Sequence, residues 1–367
     1  MNRRLLVDLE ALAANYRLFA AAPAADTTAT HPSGLRHLSG PPAIGSVVKA
    51  NAYGIGIEAA YERLATEGCR SFFVATLEEA LELKAVAGGR ADEIEIFIFD
   101  GVNADTAAEI ARSGLRPVLN HESQLAVWRN CGGAPAALHF DTGMHRLGLP
   151  EDLPPDAFTD LNATLVMTHL VCGDEPEHPM NAAQTAAFAD IVARFPGIRT
   201  SIGNSAGWLS GIQGDLARLG IGLYGGNPFS AKPNPMQPVA ALQGRVIQIL
   251  NVPAGESVGY NASWIAEKAT RAAAIGVGYA DGLPRHLSNI GEMALHDGRR
   301  CPIIGRVSMD TTMIDVSDAP EVELGDWVEC FGARIDVDEA AGKAGTLGYE
   351  LFTRVGARVP RVLGALS

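Results

Sequence analysis

Eight short apolar runs, each separated from the next by a window with helical spacing, constrain this 367-residue chain more than any other feature. The runs are AIGSVV (43–48), SFFVAT (71–76), IEIFIF (94–99), RPVLN (116–120), AALHF (136–140), ATLVMTH (163–169), TSIGN (200–204) and RLGIGLY (218–224). Between them lie IEAAYERLATEG, LEEALELKAVA, ADTAAEIARSG, ESQLAVWRNCG and NAAQTAAFADIVARF. Eight strands alternating with helices over about 200 residues predict a parallel (β/α)8 barrel, with an open doubly wound sheet as the runner-up. Upstream, Asp8 can cap a helix whose Leu9, Leu12, Tyr16 and Phe19 share one face. A Pro/Ala/Thr/Gly-rich stretch, residues 22–42, lacks periodicity and reads as a surface loop. After NPFSAKPNP (227–235) the texture changes to short apolar or alternating runs broken by Gly, Asp and Pro, the pattern of an antiparallel β domain. The barrel is therefore assigned to residues 9–235 and a mainly antiparallel β domain to 236–367, with residues 1–8 able to pair with the latter.

Charge narrows the partners. Acidic side chains outnumber basic ones 42 to 29, for a formal charge of −13. A nucleic-acid partner would need a clustered basic face. No apolar run reaches the length of about 18 residues that a membrane helix needs. The segment MNRRLLVDLEALAANY has only Leu5-Leu6-Val7 as an apolar run, too short for a signal peptide, so the expected location is cytoplasmic. Five cysteines (Cys69, Cys131, Cys172, Cys301, Cys330), with no CxxC spacing, read as buried thiols and not as a disulfide framework or a metal site.

Two features carry chemistry. Only five lysines occur: Lys49, Lys84, Lys232, Lys268 and Lys343. Four lie in helices or polar connections, whereas Lys49 ends the run IGSVV, where a barrel strand would open into the active-site face. A partly desolvated lysine there is suited to forming a Schiff base, and a lysine snorkelling from a strand edge is the bland alternative. At the other end of the barrel, Gly220-Ile221-Gly222-Leu223-Tyr224-Gly225 matches GxGxxG. A dinucleotide fold is excluded because NPFSAKPNP follows instead of a helix. Barrels bind phosphate in the loops after strands seven and eight through backbone N–H groups, and Asn204 and Ser205 can add donors. A lysine at strand one and an anion cradle at strands seven and eight suggest pyridoxal 5'-phosphate, an aldehyde with a phosphate tail.

Over nearly its whole length the chain resembles the alanine racemase family of fold-type III pyridoxal-phosphate enzymes. The resemblance is carried by Val48-Lys49-Ala50-Asn51-Ala52-Tyr53-Gly54 and by Asp141-Thr142-Gly143-Met144-His145-Arg146-Leu147-Gly148. Further pieces are Thr168-His169, Asn204-Ser205, Arg218 through Tyr224, Gly278 through Gly282, Gly305 through Asp310, Gly348-Tyr349-Glu350 and Arg358-Val359-Pro360-Arg361. It implies that Lys49 carries the cofactor and acts as one catalytic base. Tyr53, Asn204, Ser205, Tyr349 and the backbone N–H groups of Gly220 and Ile221 would hold the cofactor on its phosphate side. Arg218 would face the pyridine nitrogen, with His169 behind the ring in the same network. Arg146 and the Met309 N–H would bind the substrate carboxylate.

Racemisation requires protons to leave one face of a carbon and arrive on the other, most simply with two bases. By resemblance Tyr260 is the second, supplied by the β domain of a partner subunit, so the resemblance implies a C2 homodimer acting on L-alanine and D-alanine. Three positions depart from the family pattern. His139 stands where many relatives have a carbamylated lysine that holds the arginine; Asn261 replaces a glycine; Leu219 replaces a proline or aromatic residue. No catalytic group is lost, and Arg146 is expected to be oriented without a carbamate. A racemase of other amino acids (serine, lysine or arginine type) is the alternative. A fold-type III decarboxylase lacks support because no His-x-Gly-Ser pattern occurs, and a lone-barrel cofactor carrier would have no β domain.

Overall fold

The computed structural model describes residues 1–22, 35, 38 and 41–366. The loop expected at 22–42 thus lies almost wholly outside the described residues. Asp8 caps the first helix, Leu9–Ala21, its carboxylate accepting from the Glu10 and Ala11 N–H groups at 2.9 and 3.0 Å. Leu12, Tyr16 and Phe19 are buried along one face of that helix.

The eight runs form eight parallel strands: Ala43–Val47, Ser71–Val74, Glu95–Ile98, Arg116–Leu119, Pro135–His139, Asn162–Met167, Arg199–Ser201 and Leu216–Leu219. Most of their residues are buried, which is why they read as continuous apolar runs and not as alternating ones. The first strand pairs with both the second (Gly45 opposite Ser71) and the eighth (Ala43 opposite Leu216). The ladder thus runs from the seventh strand through the first to the eighth, and the sheet curls until its two outer strands meet. The Arg218 N–H of the eighth donates to the Gly203 carbonyl beyond the seventh at 3.0 Å, which an open doubly wound sheet with separate edges would not allow. Side chains bridge the seam between strands seven and eight. The Ser201 hydroxyl donates to the Leu216 carbonyl at 2.6 Å, and the Thr200 N–H donates to the Asp215 carboxylate at 3.0 Å.

The two ends of the barrel differ chemically. At the start of the strands, Glu95 pairs with Arg199 (2.8 Å) and with Arg116, and accepts from Ser71 at 2.9 Å. Ring stacking of Phe73 with Phe97 and Phe99, centroids 4.8 and 5.5 Å apart, fills space above this plug. The strands' other ends are left for the site. One expectation needs correction here: RLGIGLY is not a single strand. The strand stops at Leu219, and Ile221–Tyr224 form a buried 3-10 turn. The cause lies outside the run: the Ser205 hydroxyl accepts from the Gly220 and Gly222 N–H groups (3.1 and 3.4 Å), turning the backbone out of the sheet.

The β domain is built on a long strand, Ala240–Val252, antiparallel to Thr270–Ile275 and to Trp327–Phe331. Arg3–Val7 pairs antiparallel with the same strand, and Arg361–Leu363 runs parallel to Arg3–Val7. Both chain ends are therefore stitched into this sheet. The helix Gly348–Arg354 then leans from the domain over the barrel mouth.

The Asp8 cap yields a direct test. Asp8→Ala should cost about 1 kcal/mol in urea unfolding, whereas Asp8→Asn should be nearly neutral, because asparagine caps as well as aspartate.

Candidate active site

Where the first strand ends, the chain does something unusual. Val48 leaves the sheet, and Lys49 opens a turn in which Ala50, Asn51, Ala52 and Tyr53 all have φ between +52° and +55°. Gly54 ends it at φ +83°, and a Cβ there would lie 2.3 Å from the Phe352 carbonyl oxygen. The turn is pinned from outside by Arg361, whose Nε donates to the Gly54 carbonyl at 2.9 Å. The result aims the Lys49 side chain into the barrel mouth.

That mouth is a cavity of about 1170 Å³. Lys49, Tyr53, Arg146, His169, Asn204, Ser205, Arg218, Gly220, Ile221 and Tyr349 all line it. Of the residues singled out from the sequence, Tyr260 and Met309 do not line it; both lie on the β domain, 67% and 52% exposed. The loop bearing Tyr260 packs against the Gly305–Arg306 backbone, beside the segment that carries Met309.

Burial sets the protonation states. It pulls the Lys49 ammonium below its usual range, and the Arg146 charge pulls the same way. Arg218, only 3% exposed, has no carboxylate partner among the described residues. Its guanidinium instead donates to Ser201 Oγ (2.6 Å) and the Thr168 carbonyl (2.5 Å), and approaches His169 Nδ1 at 3.2 Å. Burial lowers it to about 9, so it stays charged at neutral pH. His169 is driven well below 6.5 by burial and then by Arg218, so it is neutral, with Nδ1 free to accept.

The anion cradle gathers donors. Tyr53 stacks on Tyr224 with centroids 4.4 Å apart, which points its hydroxyl at Gly220; a Cβ on Gly220 would lie 2.5 Å from that oxygen. Asn204 caps the short helix Ser205–Leu209 by accepting from the Gly207 N–H at 2.9 Å. Tyr349 closes the cradle from the β domain, its centroid 6.2 Å from that of Tyr53.

Arg146 rides on a loop folded around Asp141, whose Oδ1 accepts from the N–H groups of Gly143, Met144 and His145 at 2.9–3.0 Å. His139, at the position where many relatives carry a lysine, is buried and hydrogen-bonded through Nδ1 to Asn120 Oδ1 at 2.6 Å. Burial and the Arg218 charge push it down to about 4, so it is neutral. Asn120 escapes sequence reasoning, since an asparagine closing a strand reads as an ordinary turn residue. Glu79, which accepts from the Ala50 N–H at 2.6 Å, escapes it too, hidden in a helix that looks solvated.

Fold and site together define a class: a barrel with an appended β domain, whose mouth gathers hydroxyl and N–H donors at the end of the eighth strand while a desolvated amine lines the same cavity. The model of the alanine racemase N-terminal domain matches residues 33–228, and that of the C-terminal domain residues 239–363. The alanine racemase of Acidiphilium cryptum is 43% identical over 371 residues, 98% of each chain, and that of Rhodospirillum rubrum 45% identical over 87% of this chain and 88% of its own. The crystal structure of alanine racemase from Bartonella henselae with covalently bound pyridoxal phosphate superposes with a TM-score of 0.88 at 33% identity, covering 99% of both chains. The chain belongs to the alanine racemase family.

The turn after Lys49 can be probed at its last residue. Gly54→Ala should destabilise the protein by about 2 kcal/mol or more in chemical denaturation, because left-handed backbone strain adds to a collision with Phe352. Gly68→Ala, at φ +98° but with nothing within 4 Å of its Cβ, should cost only the strain, about 1 kcal/mol.

Proposed function

We propose that the protein interconverts L-alanine and D-alanine by two-base transfer of the α-proton, with pyridoxal 5'-phosphate held in the barrel mouth. The observation that carries this reading is the convergence of Lys49, Arg218 and the Gly220 cradle on one cavity. The residues fit a phosphorylated pyridoxal. The cradle presents hydroxyl and backbone N–H donors, and at Gly220 it leaves no room for a side chain beneath the Tyr53 hydroxyl. Tyr53, Ser205, Tyr349 and the N–H groups of Gly220 and Ile221 would hold the phosphate, Asn204 would cap the helix beneath it, and Lys49 would link the aldehyde. When bound, the group spreads the negative charge left on the α-carbon as its proton departs.

The chain's own residues do the rest. Lys49 Nζ, with its proton affinity lowered by burial, takes or returns a proton on one face. Arg218, charged, would face the ring nitrogen and give up no proton to it, which would limit how far charge runs into the ring. His169, neutral, would lie behind the ring without adding a second charge. Arg146 and the N–H of the partner subunit's Met309 would bind the substrate carboxylate, the former held by the Asp141 loop with His139 and Asn120 where the family resemblance expects a carbamylated lysine. On the opposite face the phenol of Tyr260 of the partner subunit exchanges the second proton. Its exposure, away from its own chain's cavity, supports a C2 homodimer with shared sites. We assign cofactor binding to residues 9–235, with Tyr349 added from the β domain, and the donated tyrosine to residues 236–367. All five cysteines are unpaired and no described helix is long and apolar enough to cross a membrane, both in keeping with a cytoplasmic enzyme.

Racemisation assays over a panel of L-amino acids should give alanine the highest kcat/KM. Lys49→Ala and Tyr260→Phe homodimers should each be inactive. Mixed in equal amounts under subunit exchange, they should recover about a quarter of wild-type activity, since half the dimers then carry one intact site of two. No recovery despite proven heterodimers would put both bases on one chain.

A further inference from the structure

The turn that aims Lys49 is intrinsically unfavourable, so its restraints matter. Ala50 through Tyr53 form the longest run of non-glycine residues at positive φ among the described residues. L-residues enter that region singly, at a cost of roughly 1–2 kcal/mol each. Internal bonds close part of the turn: the Ala52 N–H reaches the Val48 carbonyl and the Gly54 N–H the Ala50 carbonyl, both at 2.9 Å. Asn51 Oδ1 accepts from the Ile57 N–H at 2.7 Å. The first N–H after Lys49 goes elsewhere. Ala50 donates to Glu79 Oε1 at 2.6 Å, and the other oxygen of Glu79 accepts from the Ala75 N–H at 2.7 Å.

Glu79 sits where a different bond is expected. Thr76 caps the helix Leu77–Ala87, its hydroxyl accepting from the Glu79 N–H at 3.3 Å. Thr76-Leu77-Glu78-Glu79 is thus the sequence of a capping box, in which the glutamate returns to the N–H of the cap residue. Here the carboxylate instead spans two elements, the end of the second barrel strand and the start of the Lys49 turn. We propose that Glu79 is a positioning residue for Lys49, fixing the left-handed turn so that the amine enters the barrel mouth at one angle. This inference rests on the reading of Lys49 as the cofactor lysine and base. The Glu79 charge also favours the protonated form of Lys49, opposing the loss of the proton that burial and Arg146 favour.

Glu79→Gln keeps size and one acceptor but turns an amide donor toward one of the two N–H groups. Thr76→Ala removes the ordinary cap alone and serves as the structural control. In the loaded enzyme, Glu79→Gln should lower kcat by about tenfold or more with KM nearly unchanged, because a small misaim of a reacting group is felt mainly in the chemical step. The rate at which added pyridoxal phosphate becomes fixed to Lys49 by borohydride should fall in parallel, and the pH profile of the bound cofactor's absorption should shift. Thr76→Ala should lose comparable thermal stability while keeping wild-type kcat and fixation rate. If Glu79→Gln loses stability but matches wild type in kcat, fixation rate and pH profile, Glu79 is only a helix cap and the inference is overturned. If borohydride marks another lysine in the wild type, the reading of Lys49 fails first and the inference falls with it. Should Glu79→Gln not fold, hydrogen exchange at the Ala50 amide of the wild type decides: strong protection supports the restraint, and exchange as fast as in an open turn refutes it.

Discussion

A guanidinium buried without a carboxylate governs the electrostatics of the barrel mouth. A lone buried charge is costly unless hydrogen bonds replace the lost water. Arg218 obtains them from Ser201, the Thr168 carbonyl and His169, acceptors that leave its charge uncancelled. Two histidines respond. His169 and His139 are held neutral, by burial first and by Arg218 next. Burial and Arg146 together ease the proton off Lys49. A site that must move one proton at a time gains from having its other groups locked in single states.

The barrel makes that arrangement rigid. Arg218 lies on the eighth strand, and His169 lies two residues past the sixth. Ser201 ends the seventh strand and also stitches the seam through the Leu216 carbonyl. One hydroxyl thus serves closure and charge together. The ion cluster of Glu95, Arg116 and Arg199 sits at the far end, so the stabilising and reactive charges are separated along the barrel axis. The β domain contributes from outside: Tyr349 to the cradle, and Arg361 to the turn behind Lys49.

What was legible in the sequence follows from how local each cause is. The barrel was legible because strands buried on both faces leave continuous apolar runs, and Asp8 because capping acts across three residues. The left-handed turn was not. Lys-Ala-Asn-Ala-Tyr has ordinary helical propensity and no glycine before Gly54, so nothing in its composition announces a left-handed turn held from outside by Glu79 and Arg361. The 3-10 turn at Ile221–Tyr224 was hidden for a like reason, since it is drawn out of the strand by Ser205, distant in the chain. Asn120 becomes interesting only once His139 is seen beside it. Tyr260 could be named through family resemblance alone, because an exposed tyrosine beside a glycine carries no pattern of its own.

The electrostatic claim is open to one direct measurement: nitrogen-15 NMR of the histidine imidazoles in the cofactor-loaded protein, titrated between about pH 5 and 8. With Arg218 charged and buried, His169 should stay neutral across the whole range, and His139 should begin to take a proton only as the pH nears 4. An imidazole signal from either residue that titrates near the ordinary value of 6.5 would show that the buried guanidinium does not set the charge of the site.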